Sequence, residues 1–240
     1  MFESGIQPRE DRLATSPQLR VAGAMLTVLP EGAVWWKRER MLIVADLHFE
    51  KGSAFAARGV ALPPYDTRAT LARLQALVSR WKPQRLVALG DSFHDRAAET
   101  RMDEVDAVTL ETMTQAIDWT WITGNHDPAP PRRFGGSVHA ELRVGPLTFR
   151  HEPRAAPATG ELAGHLHPVA AVRVRGRRLR RRCVVSDGTR AILPAFGAYA
   201  GGLNVLDEAY ANLLPSGGFH AWMMGAHTVV PVAARRLEGD

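Results

Sequence analysis

The chain has 240 residues, 45% of them hydrophobic, with a formal charge of +5 and a pI of about 10.0, enough apolar content for one large domain with a real core. Its single cysteine, Cys183, excludes an intramolecular disulfide. The polar opening MFESGIQPREDRLATSPQ lacks the apolar core of a signal peptide, and no stretch reaches the roughly 18 apolar residues of a membrane helix, so a cytoplasmic location without membrane contact is expected.

Residues 1–20 read as a flexible lead-in and 21–240 as a single domain. Short apolar runs of strand length follow: AMLTVL, AVWWK and MLIVAD, the last at 41–46. Leu71, Leu74 and Leu77 recur at helical spacing until Pro83, which predicts a helix starting at Asp66, with that carboxylate as its cap. RLVALGD at 85–91 is the next buried strand, Asp103 to Ile117 a second helix, and WTWITGNHD a third strand running into a loop. Strand and helix alternate through this half, the pattern of a sheet with helices packed against it.

The second half carries LTFRHEP, ELAGHLHP, VAAVRVRG, RLRRRCVVSDG and LNVLD, short strands with turn signals between them, which predict antiparallel or mixed sheet. SDG at 186–188 is a candidate hairpin turn. The run RVRGRRLRRR at 173–182 holds seven arginines. A polyanionic partner is expected from it, with Arg177, Arg178, Arg180, Arg181 and Arg182 as nucleic-acid contacts. A chain that uses lysine only at 37, 51 and 82 also places arginine wherever a solvated charge will do.

Three of the strands end in potential ligands: VADLH in Asp46 and His48, VALGD in Asp91, and ITGNHD in Asn125 and His126. Ligands bind beyond the carboxyl ends of strands in α/β sheets. A spacing of two in extended chain puts Asp46 and His48 on one face, and the same spacing recurs for His165 and His167 in GHLH. His151 follows LTFR. Carboxylate, carboxamide and imidazole donors without thiolate suit manganese, iron or zinc rather than a structural zinc site. The set is large enough for two ions, with Asp91 as the natural shared carboxylate. Such a pair clamps a phosphate, acidifies a water and stabilises in-line attack, so hydrolysis of a phosphate ester is the reaction that fits.

DLH, GD, GNHD, a lone histidine on a strand and GHLH, in that order over residues 41–168, resemble the calcineurin-like metallophosphoesterase superfamily. With 21 Gly, 3 Asn, 9 His and 12 Asp in the chain, GNHD alone arises by chance in roughly 5 of 10,000 such chains. The resemblance implies an α/β fold, a four-layer α-β-β-α sandwich of two mixed sheets. It further implies one divalent metal on Asp46, His48, Asp91 and His167, and a second on Asp91, Asn125, His151 and His165. His126 is then no ligand but the group that faces the phosphate, as electrophile or as general acid to the leaving oxygen. Either His94 or Asp95 is expected to support it.

DLHFEKG, GDSFHD and LPAFGAYAGG narrow the resemblance to the bacterial ligase-associated DNA-damage-response phosphodiesterase group. That group implies manganese, a DNA or nucleotide phosphodiester substrate, and association with a DNA repair ligase and helicase. The rival enzyme reading is a phosphatase or nucleotide pyrophosphatase acting on a small molecule, and the non-enzyme rival a nucleic-acid-binding protein on a dead fold. Glu50 and Lys51 are candidates for outer positions of the site, while Asp127 is expected to cap a turn.

Overall fold

The computed structural model describes residues 17–60, 62, 63 and 65–240. Residues 1–16 of the expected lead-in lie outside the described residues, whereas Gln18, Leu19 and Arg20 are already paired strand. The first sheet holds β1 (Gln18–Val21), β2 (Ala24–Val28), β3 (Val34–Trp36), β4 (Met41–Val44), β5 (Arg85–Leu89), β6 (Asp118–Ile122) and β7 (Ser137–His139), side by side in chain order. β1 to β4 pair antiparallel and β4 to β7 parallel. β4 and β5 are almost uninterrupted apolar runs because both of their faces are covered. Leu42, Val44, Leu86 and Ala88 face the helices, and Met41, Ile43, Val87 and Leu89 face the second sheet.

The parallel crossovers carry helices: α1 (Lys51–Ala56) and α2 (Asp66–Trp81) between β4 and β5, α3 (Ala98–Arg101) and α4 (Glu104–Ala116) between β5 and β6. Leu71, Leu74 and Leu77 of α2 and Ala107, Leu110 and Met113 of α4 pack on the first sheet, with Trp119 and Trp121 beneath them. Asp103 caps α4 by accepting from Val105 N–H at 3.0 Å. Asp66 does not cap α2. Tyr65 is the N-cap residue, and Asp66 is drawn into the first turn, where its carboxylate accepts from Gly52 N–H at 2.9 Å.

The second sheet contains β8 (Leu142–Val144), β9 (Leu147–Phe149), β10 (Glu161–Ala163), β11 (Pro168–Val174), β12 (Arg177–Ser186), β13 (Ala191–Ile192) and β14 (Leu203–Asn204), ordered β14-β11-β12-β13-β10-β9-β8. β15 (His220–Met224) pairs with β12, and β16 (Val229–Ala233) with β15. Both parallel and antiparallel pairs occur, so two mixed sheets face each other across Leu26, Val28, Trp36, Phe149, Leu162, Val184 and Leu193. The SDG turn closes the β12–β13 hairpin, Asp187 accepting from the N–H groups of Thr189 and Arg190. β11 and β12 turn on Arg175 and Gly176, at φ 48° and 77°, the two positive values that a two-residue hairpin turn needs. The outer face of this sheet is covered by Val205, Tyr210, Leu213, Leu214 and Phe219. That layer has two 3-10 turns, Glu208–Tyr210 and Ala234–Arg236, and no α-helix among the described residues.

Candidate metal centre

β4, β5 and β6 end at one edge of the first sheet, and β9 and β10 bring the second sheet's loops to the same place. Asp46 and His48 follow β4, Asp91 follows β5, Asn125 and His126 follow β6, His151 follows β9, and His165 and His167 follow β10. Five of these residues sit in left-handed backbone: Asp46 at φ 51°, His48 at 47°, Asp91 at 44°, His165 at 69° and His167 at 47°. Each such residue costs on the order of 1 kcal/mol or more and persists only where its surroundings over-determine it. Here they do, since Asp46 N–H donates to Gly90 O at 3.2 Å, His48 N–H to Asp91 O at 2.9 Å and Gly197 N–H to Asp46 O at 3.1 Å. Asp46 and His48 therefore converge through two left-handed residues that flank Leu47 and not through strand alternation, contrary to the spacing argument.

The motif glycines are steric requirements. A Cβ on Gly90 would stand 2.5 Å from the His151 ring, and one on Gly124 would stand 2.2 Å from Asp91 Oδ1. Either would push a candidate ligand out of place.

Potential donor atoms converge in two groups, Asp46 with His48 and His167, and Asp91 with His151 and His165, each within 4.8 Å. His48 Nε2 and His167 Nε2 are 3.2 Å apart, and His167 Nε2 lies 3.4 Å from Asp46 Oδ1. In the second group His165 Nδ1 is 3.1 Å and Asp91 Oδ2 3.3 Å from His151 Nε2, and Asn125 Oδ1 is 2.9 Å from the same nitrogen. The groups touch through Asp46 Oδ1, which is 3.7 Å from His151 Nδ1. His151 Nδ1–H donates to Leu89 O at 3.0 Å, which makes Nε2 the nitrogen aimed into the cluster.

Divalent cations fit this arrangement. Asp46 is fully buried, yet its Oδ1 has no hydrogen-bond partner among the described residues, a costly state for a carboxylate oxygen that a cation would relieve. Burial and the neighbouring His167 push His48 far down, to a pKa of about 2, so it stands as a neutral donor. Burial alone would raise Asp91, but the hydrogen bond and charge of His151 hold its carboxyl well below the usual range. Burial opposes the protonated form of His151 too, yet Asp91 and Asp46 raise it. Burial and the charge of His151 lower His165.

His126 stands apart from both groups at the mouth, its side chain 43% exposed. Its N–H donates to Asp91 Oδ1 at 2.9 Å, and its Nε2 lies 3.9 Å from Asp91 Oδ2. Ring Nδ1–H donates to the main-chain carbonyl of His94 at 3.0 Å, and the two imidazoles stack with centroids 5.3 Å apart. Support for His126 thus comes from the backbone and ring of His94, while the Asp95 carboxylate is taken by Arg101 at 2.8 Å. No sequence signal marks a carbonyl acceptor.

Asp127 does more than cap a turn. Its buried carboxylate accepts from Ser92 and Phe93 N–H at 2.9 and 3.2 Å and from Gly124 N–H at 3.2 Å, stapling the loop after β5 to the loop after β6. Burial, with Asp91 nearby, pushes its pKa up to about 7 despite those bonds. Glu50 turns inward, accepting from Thr67 Oγ1 at 2.8 Å and Ser53 Oγ at 2.6 Å. Lys51 is half-buried, and burial lowers its pKa. A cavity of about 480 Å³ opens beside Asn125 and His151, with Glu141, Arg150 and Arg154 on its walls.

The arginine run does not present five equivalent charges. Arg182 is folded inward, donating to Ala195 O at 3.0 Å and Glu31 O at 3.4 Å, whereas Arg178 and Arg180 pair with Asp240. Arg177 and Arg181 make no ion pair among the described residues and lie exposed.

Residues 39–231 match the family model of calcineurin-like phosphoesterases. A crystal structure of the Pseudomonas putida nuclease MPE is similar to this chain at 31% identity and a TM-score of 0.70, over 91% of this chain and 100% of that one. The phosphoesterase Yfce from E. coli is similar at 14% identity and a TM-score of 0.42, over 80% and 98%. No curated protein sequence matches. The chain belongs to the calcineurin-like phosphoesterase family, and is a metal-dependent phosphoesterase. Among the described residues, no helix is long and apolar enough to cross a membrane.

Proposed function

We propose that this chain is a dinuclear-metal phosphodiesterase that cleaves nucleic acid, as a DNA repair-associated nuclease. The observation that carries the reading is the pair of facing donor groups with a histidine at their mouth that belongs to neither. Asp46, His48 and His167 would hold one cation and Asn125, His151 and His165 the other, with Asp91 shared. Manganese leads, and iron or zinc suits the same donors. When bound, the ions supply Lewis acidity at the phosphoryl group and neutralise the charge that builds there.

The chain's own residues then do the rest. Asp91 anchors the His126 main chain, the His94 carbonyl fixes the ring through Nδ1, and Nε2 is left to give a proton to the leaving oxygen. Support for a nucleic-acid substrate comes from the exposed arginines of β12 and from the nuclease that resembles this chain over nearly its whole length. The narrower resemblance in DLHFEKG and LPAFGAYAGG supports a functional association with a DNA repair ligase and helicase.

A manganese-loaded substrate panel tests the reading: single- and double-stranded DNA, RNA, nucleotides, phosphomonoesters and bis(p-nitrophenyl) phosphate. Cleavage of DNA and of the aryl diester is expected to exceed cleavage of monoesters. Turnover confined to monoesters or nucleotide pyrophosphates would replace this reading with the small-molecule one.

A further inference from the structure

The β11–β12 ribbon begins beside the candidate centre. Val169, two residues beyond His167, lies opposite Arg182, and Arg173 lies opposite Arg178. Alternation places Arg182, Arg180 and Arg178 on one face of β12, repeating about every 7 Å along the strand. The inner part of this ladder is joined to the centre. Arg180 donates to Gly202 O at 2.8 Å, and the following residue, Leu203, donates its N–H to His167 O at 3.2 Å.

Past Arg182, the guanidiniums of this face are already in use. Asp240 Oδ1 lies 2.8 Å from Arg178 and 3.2 Å from Arg180, Gly239 O accepts from Arg178 at 2.7 Å, and Glu238 Oε1 takes Arg173 at 3.0 Å. The segment is set against β11 by its main chain, with Glu238 N–H donating to Ala171 O at 2.8 Å and Asn204 Nδ2 donating to Glu238 O at 3.0 Å. One carboxylate bridging two forked guanidiniums is the geometry that a phosphate takes up with arginine. Exposed pairs of this kind hold weakly and are screened by salt, so a strand that offers several phosphates outcompetes them.

We propose that Asp240 and Glu238 are an internal counter-anion seated on the phosphate-binding face of the ribbon, and that a nucleic-acid strand leaving the metal centre binds this face by displacing them. The segment 238–240 thereby lowers affinity for polyanions and favours partners long enough to reach from the centre along the ladder. This rests on the reading of the chain as a nucleic-acid phosphodiesterase.

The test is fluorescence anisotropy with the manganese-loaded protein and a labelled single-stranded phosphorothioate oligodeoxynucleotide, which resists cleavage. Asp240→Asn is expected to tighten binding by about three- to tenfold at low ionic strength, where such charges are least screened. With Arg178→Gln and Arg180→Gln also present, binding is weaker and Asp240→Asn no longer changes it. Unchanged or weaker binding by Asp240→Asn alone, or tightening that persists without the two arginines, overturns the proposal. Turnover of bis(p-nitrophenyl) phosphate by the wild type, measured in parallel, reports on the phosphoesterase reading by itself, so the two failures are told apart.

Discussion

His126 is positioned by an acceptor that every residue possesses. Its Nδ1–H meets the carbonyl oxygen of His94, and a carbonyl stays in place whatever side chain occupies position 94. His94→Ala and Asp95→Asn are therefore expected to slow turnover of bis(p-nitrophenyl) phosphate by less than about tenfold, below the loss usual for a true outer-shell partner. His126→Ala is expected to slow it by about 10²–10⁴-fold, with metal content unchanged by elemental analysis. Full activity in His126→Ala would remove it from the reaction, and an equal loss in His94→Ala would move the positioning role from the carbonyl to the stacked imidazole.

Among secondary elements, β12 shows how one arginine run divides its labour. Alternate residues point to opposite faces of a strand, yet Arg182 parts from Arg178 and Arg180 because it lies at the start of the packed half of β12, where Ala195 O and Glu31 O take its guanidinium. Burial lowers its pKa, as expected of a cation removed from water. Arg182→Gln is expected to destabilise the fold by about 2 kcal/mol, a Tm decrease of roughly 4–8 °C, without changing the salt dependence of DNA binding. The pair Arg178→Gln and Arg180→Gln should do the reverse, leaving Tm nearly unchanged and flattening the plot of log affinity against log salt by about 1–2. Calorimetry and salt titrations of the same preparations check both, and a salt slope that falls with Arg182→Gln would show that its head reaches the ligand.

For the whole molecule, the candidate centre joins the two sheets, because its donors hang from β4, β5 and β6 on one side and β9 and β10 on the other. A pair of cations bound there would tie five strand ends together and relieve the unpartnered Asp46 oxygen. Manganese at about a thousandfold over its Kd is expected to stabilise the fold by about 4 kcal/mol per site, so removal by EDTA lowers Tm by roughly 8 °C or more. An identical melting curve with and without EDTA would mean that the native fold gains nothing from the ion.

DLH, GD and GHLH contain five of the six residues that converge in the two donor groups, because chemistry of this kind needs particular side chains and those are written in the chain, whereas the sixth, His151, has no motif of its own and is picked out only by its place between GNHD and GHLH. Strands β4, β5 and β6 and helices α2 and α4 were also legible, since long apolar periodicity survives without tertiary context. Short elements such as α1, β7 and β8 were not, as three to six residues carry too little pattern and exist because neighbours pair with them. Tertiary structure alone decided that Asp46 and His48 converge through left-handed residues, that a carbonyl holds His126, that Asp127 joins two loops, and that three of the five candidate arginines are already engaged. Each depends on which backbone groups and carboxylates distant parts of the chain bring together, and residue types by themselves do not encode that.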